Sequence, residues 1–115
     1  MTVQRGEIYF VDLDPVRGRE QAGVRPAVVL SVDLLIRLPL VVTVVPGTDG
    51  ANVRRNFPST VRVSPAESGL PLETVFLCFQ VRAIDLSRFA AQPAGRLGVN
   101  AMARIENSIR YCLGV

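Results

Sequence analysis

The sequence has no histidine, no lysine and no tryptophan, and it has only two cysteines in 115 residues. Without histidine, the chain lacks the commonest zinc ligand and the usual general base of enzymes, which excludes a Ser/His/Asp triad. Cys78 and Cys112 lie in apolar stretches, which favours small buried thiols over a disulfide or a metal pair. No carboxylate cluster has a plausible metal-binding spacing either. We therefore expect no metal and no other cofactor.

Arginine makes up all 13 basic residues, and the formal net charge is only +3. The arginine side chain suits bidentate recognition of phosphate and stacking on bases better than lysine does. A composition bias of the source would explain the same excess. Charge alone therefore does not identify a nucleic-acid-binding protein.

The length suits one compact domain over residues 1–115, and 49% of the residues are hydrophobic. The N-terminus lacks the apolar core of a secretory signal. Residues 27–46 are apolar over about the length of a membrane span, but Asp33, Arg37 and Pro39 fall near the middle. Two buried strands joined by a turn fit this stretch better. We expect a soluble cytoplasmic protein.

Short apolar runs separated by turn residues predict five or so strands. Pro46-Gly47 is predicted to end the third of them, and the fifth has a possible kink near Gln80. Residues 16–24 and 48–59 are polar and glycine-bearing, which is typical of exposed loops, and residues 64–74 are predicted as another loop. The predicted strands cover residues 7–13, 27–32, 40–45, 60–63 and 75–83.

The end of the chain changes to a helical period. Asn100 is the predicted N-cap and Gly114 the predicted C-terminal stop, with an outer pair between Glu106 and Arg110. The predicted apolar face consists of Met102, Ile105, Ile109 and Leu113, and core packing accounts for it. Short strands followed by this helix indicate a β-rich α+β fold, a small barrel capped by a helix.

Glu20, Arg25 and Thr48 are the polar residues that could carry chemistry in or beside the first two loops. Arginine, hydroxyl and carboxylate groups suit a phosphodiester substrate that supplies its own nucleophile, as RNA does through its 2′-hydroxyl. The protein would then position the phosphate and stabilise its developing negative charge. The structural alternatives are an Arg25 ion pair with Glu20 or Asp85, a turn-initiating Thr48 and a solvated Glu20.

Several segments resemble the MazF/PemK family of toxins. Residues 5–15 (RGEIYFVDLDP) are similar to the start of these proteins, and residues 18–31 (GREQAGVRPAVVLS) match their signature G-x-E-Q-x-G-x-R-P-x-x-V-ψ-S almost position for position. Further similar segments are residues 44–48 (VVPGT), 56–58 (NFP), 77–85 (LCFQVRAID) and 95–97 (GRL). The resemblance covers nearly the whole chain. Residues 34–40 depart from it, because they are more apolar than the usual polar turn.

The resemblance implies an SH3-like barrel of the PemK and CcdB type, with five to seven mostly antiparallel strands and a C-terminal helix. It also implies a homodimeric toxin that cleaves single-stranded RNA without a metal and is inhibited by a small acidic antitoxin of the MazE type. The expected products are a 2′,3′-cyclic phosphate and a 5′-hydroxyl. By position, Arg25 and Thr48 correspond to the catalytic pair, whereas Glu20, Ser31 and Gln80 correspond to substrate-contacting positions.

Glu20 is also the leading candidate for the general base, because it is the carboxylate nearest to Arg25 in sequence. Arg54, Arg55 and Phe57 form a basic and aromatic patch suited to single-stranded RNA, although a solvated loop with a packed aromatic ring explains them equally. Gln80 could instead satisfy backbone groups at a strand kink. Arg82 completes the predicted substrate-binding set.

Two other functions remain open at this stage. The first is a non-catalytic toxin of the same fold that binds and poisons DNA gyrase, and the second is a plain protein-interaction barrel. The intact segment from Glu20 to Pro26 favours the nuclease over both.

Overall fold

The computed structural model describes residues 2–33 and 41–115. Seven strands and two helices lie within these residues. The strands are β1 (Glu7–Asp12), β2 (Val24–Val29), β3 (Val41–Asp49), β4 (Thr60–Val63), β5 (Thr74–Leu77), β6 (Arg82–Asp85) and β7 (Gly95–Arg96). The helices are α1 (Pro65–Ser68) and α2 (Val99–Leu113), and three short 3-10 turns cover Gly50–Asn52, Cys78–Gln80 and Leu86–Arg88.

These strands form one curled sheet in the order β4-β5-β3-β2-β1-β7, with β6 also paired to β3. The pairings are antiparallel. The long strand β3 contacts three others, because it pairs with β6 near its start, with β2 in its middle and with β5 at its end. A curled antiparallel sheet followed by a C-terminal helix confirms the fold predicted from the sequence.

The apolar side chains divide into two buried clusters, one on each face of the curled sheet. One cluster includes Val45 and Phe76 and is covered by Met102 and Ile105 of α2. The other includes Tyr9, Val11, Val29 and Val42. Because β3 has a buried cluster on each of its faces, its sequence is a continuous apolar run and does not alternate between apolar and polar residues.

The prediction that Pro46-Gly47 ends the third strand is wrong, because β3 continues to Asp49. Pro46 is the last residue of β3 paired with β2, and Gly47 is the first paired with β5. A side chain at Gly47 would bring a Cβ within 2.9 Å of the Thr74 side chain and 3.2 Å of the Phe76 ring. The two residues therefore mark the change of partner strand and not the end of the strand.

The stretch 75–83 was predicted as one strand with a possible kink near Gln80, and the structure divides it into two. β5 ends at Leu77, the chain makes a 3-10 turn over Cys78–Gln80, and β6 begins at Arg82. The two strands pair with opposite ends of β3, so the turn carries the chain from one end of β3 to the other. Leu77 and Cys78 are buried where the chain leaves β5. Because apolar residues occupy this point, the sequence carries no turn signal there.

Two further boundaries differ from the sequence-based prediction. β2 begins at Val24 instead of residue 27 and ends at Val29, because Pro26 lies within the strand and pairs with Phe10 of β1. The predicted loop 64–74 contains α1, whose N-cap Ser64 and Glu67 form a capping box.

Helix α2 has the predicted apolar face over most of its length. Met102 and Ile105 are buried and Ile109 packs against the core, whereas Leu113 is exposed, so its assignment to the core was wrong. Gly114 has the predicted left-handed C-cap conformation with φ of 70°. The N-cap, however, is Gly98 and not Asn100.

The predicted pair between Glu106 and Arg110 is also absent from the described contacts. Glu106 accepts a hydrogen bond from Arg5 at 2.6 Å instead, and Arg110 donates to the Asn107 side chain at 3.1 Å. The N-terminal segment packs alongside α2 and brings Arg5 to Glu106, a contact that the helical period does not predict.

Residues 34–40, whose apolar character departs from the family pattern, lie outside the described residues, as does the predicted first residue of β3. No helix among residues 2–33 and 41–115 combines the length and the apolar character that a membrane crossing needs.

Candidate active site

Arg25 lies in the second position of β2, opposite Val11 of β1, and its side chain is half-buried. The Nε atom donates a hydrogen bond to the carbonyl oxygen of Ala22 at 2.9 Å. This bond fixes the plane of the guanidinium group against the end of the first loop, residues 13–23. The two terminal nitrogens make no hydrogen bond or ion pair within the described part of the chain, so the alternative of an ion pair with Glu20 or Asp85 gains no support.

Thr48 lies near the end of β3, opposite Val75 of β5, and is only 6% exposed. Its Oγ1 accepts a hydrogen bond from the side-chain amide of Asn52 at 3.0 Å. The residue continues a strand, so the alternative that Thr48 initiates a turn is wrong. The following Asp49 caps the 3-10 turn instead, since its carboxylate accepts from the backbone amide of Ala51 at 2.9 Å.

The sheet register relates Arg25 to Thr48. Pairing between β2 and β3 ends at Ala27 and Pro46. Arg25 and Thr48 each lie two residues beyond this last pair on their own strands, so alternation along each strand directs both side chains to the face of Ala27 and Pro46. Opposite residues of antiparallel strands project to the same face. The two residues assigned as catalytic therefore share a face at the point where their strands separate.

Glu20, Gln80 and Arg82 come together around one open pocket of about 620 Å³. The first loop forms one wall and the 3-10 turn with the start of β6 forms the other. The side-chain oxygen of Gln80 accepts a hydrogen bond from the backbone amide of Gln21 at 2.6 Å, which joins the two walls. Gln80 thus satisfies a backbone group, as the structural alternative predicted, and it also lines the pocket.

Glu20 is exposed, and its carboxylate accepts a hydrogen bond from the backbone amide of Arg17 at 2.5 Å within the same loop. Asp14 closes the base of this loop by accepting from the amide of Gly23 at 3.1 Å. Glu20 is therefore directed by the folding of its own loop rather than by an ion pair with Arg25.

Ser31 has a structural partner. Its hydroxyl oxygen accepts a hydrogen bond from the backbone amide of Thr43 at 2.8 Å, just past the end of β2. The backbone amides of Leu30 and Ser31 also donate to the carbonyl oxygen of Thr43, at 2.9 and 3.3 Å, so the contact between the second and third strands continues past β2. Among residues 2–33 and 41–115, the Ser31 hydroxyl donates no hydrogen bond.

Arg54, Arg55 and Phe57 lie on the surface in the segment that links β3 to β4, apart from the pocket at Glu20. Phe57 is 49% exposed and lines a second open groove, of about 680 Å³, between this segment, β4 and the last turns of α2. The sequence grouped these residues with the rest of the substrate-binding set, but the structure divides the set between two surfaces.

Three residues that the sequence did not single out belong to these surfaces. Arg19 and Phe79 line the pocket with Glu20, and Phe79 is 54% exposed. Phe79 directly follows Cys78 in an apolar stretch, and its sequence context does not mark it out. Asn52, which binds Thr48, lies four positions after it in a polar loop, and no residue type there marks it out.

The cysteine beside the pocket is not poised for nucleophilic chemistry. Burial raises the pKa of the Cys78 thiol to about 11, with the nearby Cys112 adding to the increase and a hydrogen bond with Ser108 opposing it. A thiol needs a lowered pKa to attack as thiolate near neutral pH. Both cysteines are free thiols, as the sequence predicted.

Among residues 2–33 and 41–115, no three cysteine, aspartate or glutamate side chains approach closely enough to form a metal site. The charged groups at the pocket are thus Arg19, Glu20 and Arg82. Arg19 and Arg82 are cations, as is Arg25, and with the Thr48 hydroxyl they are groups that can donate hydrogen bonds to an anion, whereas Glu20 is an acceptor.

The structure resembles solved toxins. Its fold matches the crystal structure of MazF from Deinococcus radiodurans with a TM-score of 0.83, at 22% identity and covering 100% of this chain and 99% of that one. It also matches a mycobacterial endoribonuclease solved in complex with its cognate antitoxin, with a TM-score of 0.79, at 21% identity and covering 98% and 96%. At these identities the likeness concerns the fold.

Sequence comparison goes further. The chain is 36% identical to endoribonuclease MazF9 of Mycobacterium tuberculosis over 116 residues, covering 96% of each. It is 32% identical to endoribonuclease MazF of Staphylococcus epidermidis over 113 residues, covering 98% of this chain and 92% of the relative. The model of the PemK-like, MazF-like toxins of type II toxin–antitoxin systems matches residues 4–113. The chain therefore belongs to this family of toxins, which confirms the resemblance found in its sequence.

Proposed function

We propose that this chain is a toxin that cleaves single-stranded RNA without a metal ion, through attack of the 2′-hydroxyl on the adjacent phosphate. The products are a 2′,3′-cyclic phosphate and a 5′-hydroxyl, and cleavage of messenger RNA stops translation and growth. The enzyme class follows from the family, since the two relatives described above, from Mycobacterium tuberculosis and Staphylococcus epidermidis, are endoribonucleases. The chemistry is argued from the residues below.

The observation that carries this proposal is the shared face of Arg25 and Thr48 where β2 and β3 separate. RNA supplies its own nucleophile, so the protein needs only to hold the phosphate and stabilise the charge that develops on it. Arg25 has its Nε bound to Ala22 and directs its terminal nitrogens toward the phosphate oxygens. It also donates a proton to the departing 5′-oxygen, while the Thr48 hydroxyl donates a hydrogen bond to a phosphate oxygen.

Glu20 is the candidate acceptor of the 2′-hydroxyl proton, because a guanidinium stays protonated in proteins and is a poor base. Its place in the pocket with Arg19, Gln80 and Arg82 supports a role beside the substrate. The exposed ring of Phe79 in the same pocket supports stacking with a base. Arg54, Arg55 and Phe57 extend the RNA-binding surface on the neighbouring segment, and the Ser31 hydroxyl provides a further donor.

The proposed partners are a second copy of the chain and an acidic antitoxin of the MazE type. A mycobacterial endoribonuclease of this fold is found in complex with its cognate antitoxin, and MazF of Deinococcus radiodurans with MazE. An acidic, partly disordered segment complements a surface whose cations are all arginines.

The test is incubation of the purified protein with a long single-stranded RNA in excess chelator. We expect discrete fragments whose ends carry cyclic phosphate, detected by mass spectrometry. Arg25→Ala should lower the cleavage rate on the order of 10²- to 10³-fold, as removal of one charge-stabilising donor does elsewhere. Arg96→Ala is the matched control, because Arg96 is exposed and bound only to Gln4 within the described residues.

Near-wild-type cleavage by Arg25→Ala would contradict this assignment. Intact RNA together with inhibited DNA supercoiling would support the gyrase alternative, which gains no support from the relatives found. Intact RNA without an effect on gyrase would favour the interaction barrel.

A further inference from the structure

The 3-10 turn Gly50–Asn52 directly follows the strand that carries Thr48, and it is bound back to that residue. The side-chain amide of Asn52 donates a hydrogen bond to Oγ1 of Thr48 at 3.0 Å. A threonine hydroxyl has one proton to donate and two lone pairs, and its proton rotates to suit its neighbours. Because one lone pair is occupied by the Asn52 amide, the proton of Thr48 is directed away from Asn52 and remains available to a substrate oxygen.

Arg62 of β4 holds this turn by both of its ends. Its guanidinium donates to the carbonyl oxygen of Gly50 at 3.1 Å and to that of Val53, which are the first residue of the turn and the residue that follows it. The Nε atom donates to the Asn56 side chain at 2.9 Å. All three nitrogens are thus engaged inside the segment that links β3 to β4.

Glu73 completes the arrangement from the other side. Its carboxylate lies 2.8 Å from the Arg62 guanidinium, and its backbone carbonyl accepts from the amide of Gly50 at 2.8 Å. A Cβ at Gly50 would lie 2.6 Å from the Glu73 carboxylate oxygen, so the turn has little room to shift. An outward-facing arginine on a strand is usually solvated, whereas the side chain of Arg62 is only 23% exposed.

We propose that Asn52 and Arg62 are positioning residues for Thr48: Arg62 fixes the turn, and Asn52 fixes the hydroxyl of Thr48 as a donor to the scissile phosphate. This inference rests on the proposed function, in which that hydroxyl contacts the phosphate. Neither positioning residue needs to touch the RNA.

The first test replaces the Asn52 amide with a group of nearly the same shape that cannot donate. In Asn52→Asp the new carboxylate accepts the proton of Thr48 and turns it away from the substrate. We expect kcat to fall by about tenfold, the usual scale of one hydrogen bond, with a smaller change in KM. Asn100→Asp is the matched control, because Asn100 is an exposed amide at the start of α2 that lines neither the pocket at Glu20 nor the groove at Phe57.

The double variants decide between positioning and a direct effect of charge. In a Thr48→Ala background, Asn52→Asp should produce no further loss, because the hydroxyl it orients is gone. A loss of the same size in both backgrounds would show that the carboxylate repels RNA directly, and it would overturn the inference.

Arg62→Lys tests the other half, since lysine keeps the charge but cannot bridge two carbonyl groups with a planar fork. It should lower kcat in the wild-type background and leave the Thr48→Ala background unchanged. Arg5→Lys is the control: the Arg5 guanidinium likewise donates to a backbone carbonyl, that of Leu30, and pairs with Glu106 of α2 at 2.6 Å, so the same kinds of contact are lost away from the turn. Equal losses of kcat in both lysine variants would contradict the role of Arg62.

The outcome for Thr48→Ala alone separates this inference from the proposed function. If that variant cleaves RNA normally, the proposed role of Thr48 fails. If it is impaired while Asn52→Asp and Arg62→Lys are fully active, only the positioning roles fail. Thermal unfolding of each variant provides the check that the barrel is folded.

Discussion

At the scale of single residues, the two cysteines differ in burial although their sequence contexts are alike. Cys78 is fully buried, and burial is the main cause that raises its pKa to about 11. At pH 8 a thiol with that pKa is ionised to about one part in a thousand, and the thiolate is the reactive form. Cys112 is only partly buried, on the last turn of α2.

We therefore expect iodoacetamide at pH 8 to modify Cys112 in the native protein well before Cys78. Peptide mass spectrometry over a time course measures the two rates. In guanidinium chloride both thiols should react at similar rates, which controls for intrinsic differences between the peptides. Equal rates in the native state would contradict the burial of Cys78.

The contacts of the residues proposed for the site could not be predicted from the sequence. Glu20, Gln80 and Arg82 do line one pocket, as a shared role requires. The partner of Gln80, however, is the backbone amide of Gln21, 59 positions away in the chain. Such a bond depends on how two distant segments pack. No local pattern encodes it. The contact of Asn52 with Thr48 spans only four positions, but it depends on the 3-10 turn Gly50–Asn52, which the sequence did not predict.

At the scale of elements, the short strand β7 depends on a close approach between Gly95 and α1. A Cβ at Gly95 would lie 2.2 Å from the backbone carbonyl oxygen of Ser68. Backbone cannot rotate aside as a side chain can, so the helix or the strand would have to move. β7 itself pairs with the start of β1.

Gly95→Ala should therefore destabilise the fold by roughly 1–3 kcal/mol, the usual cost of overpacking, and lower Tm by several degrees. Gly98→Ala is the matched control, because nothing lies within 4 Å of a Cβ there. It should cost only about 0.5–1 kcal/mol, since Gly98 is the N-cap of α2 and alanine caps a helix less well than glycine does. Denaturant unfolding measures both, and equal stability of the two variants would contradict the close approach.

Element types were predictable here, but changes of partner strand were not. The alternation in β4 and the apolar face of α2 both depend on local period, and both were found. Pro46-Gly47 and the turn Cys78–Gln80 are where the chain exchanges one neighbouring strand for another. At such a point the space between the strands decides which residue fits. The local propensity of that residue therefore predicts a strand end or a continuous strand wrongly.

At the scale of the whole molecule, some arginines form ion pairs between segments and others are exposed without one in the described residues. Arg5, Arg62 and Arg104 form the ion pairs of the described residues and hold segments together. Arg54 and Arg55 are exposed beside Phe57 and form no ion pair within the described residues. If these two contact phosphates of bound RNA, binding must depend on salt through the counterions that they displace.

For single strands, the slope of log affinity against log salt is about −0.7 for each phosphate contact. The double variant Arg54→Gln/Arg55→Gln should therefore reduce the magnitude of the slope by about 1.4. Fluorescence anisotropy with a fully 2′-O-methylated RNA measures binding without cleavage. Arg96→Gln should leave the slope unchanged. An unchanged slope in the double variant would support the alternative that this segment is a solvated loop without phosphate contacts.

The position of β3 has a consequence for how such a toxin can be silenced. Thr48 lies on the strand that pairs with β2, β5 and β6, so its backbone is released only when most of the sheet opens. Regions of this kind open at close to the full free energy of unfolding. Local unfolding of β3 is therefore not a reversible way to inactivate the enzyme in a cell. An inhibitor has to cover the site or displace the loops around it, and once that inhibitor is degraded, activity returns without any need for refolding.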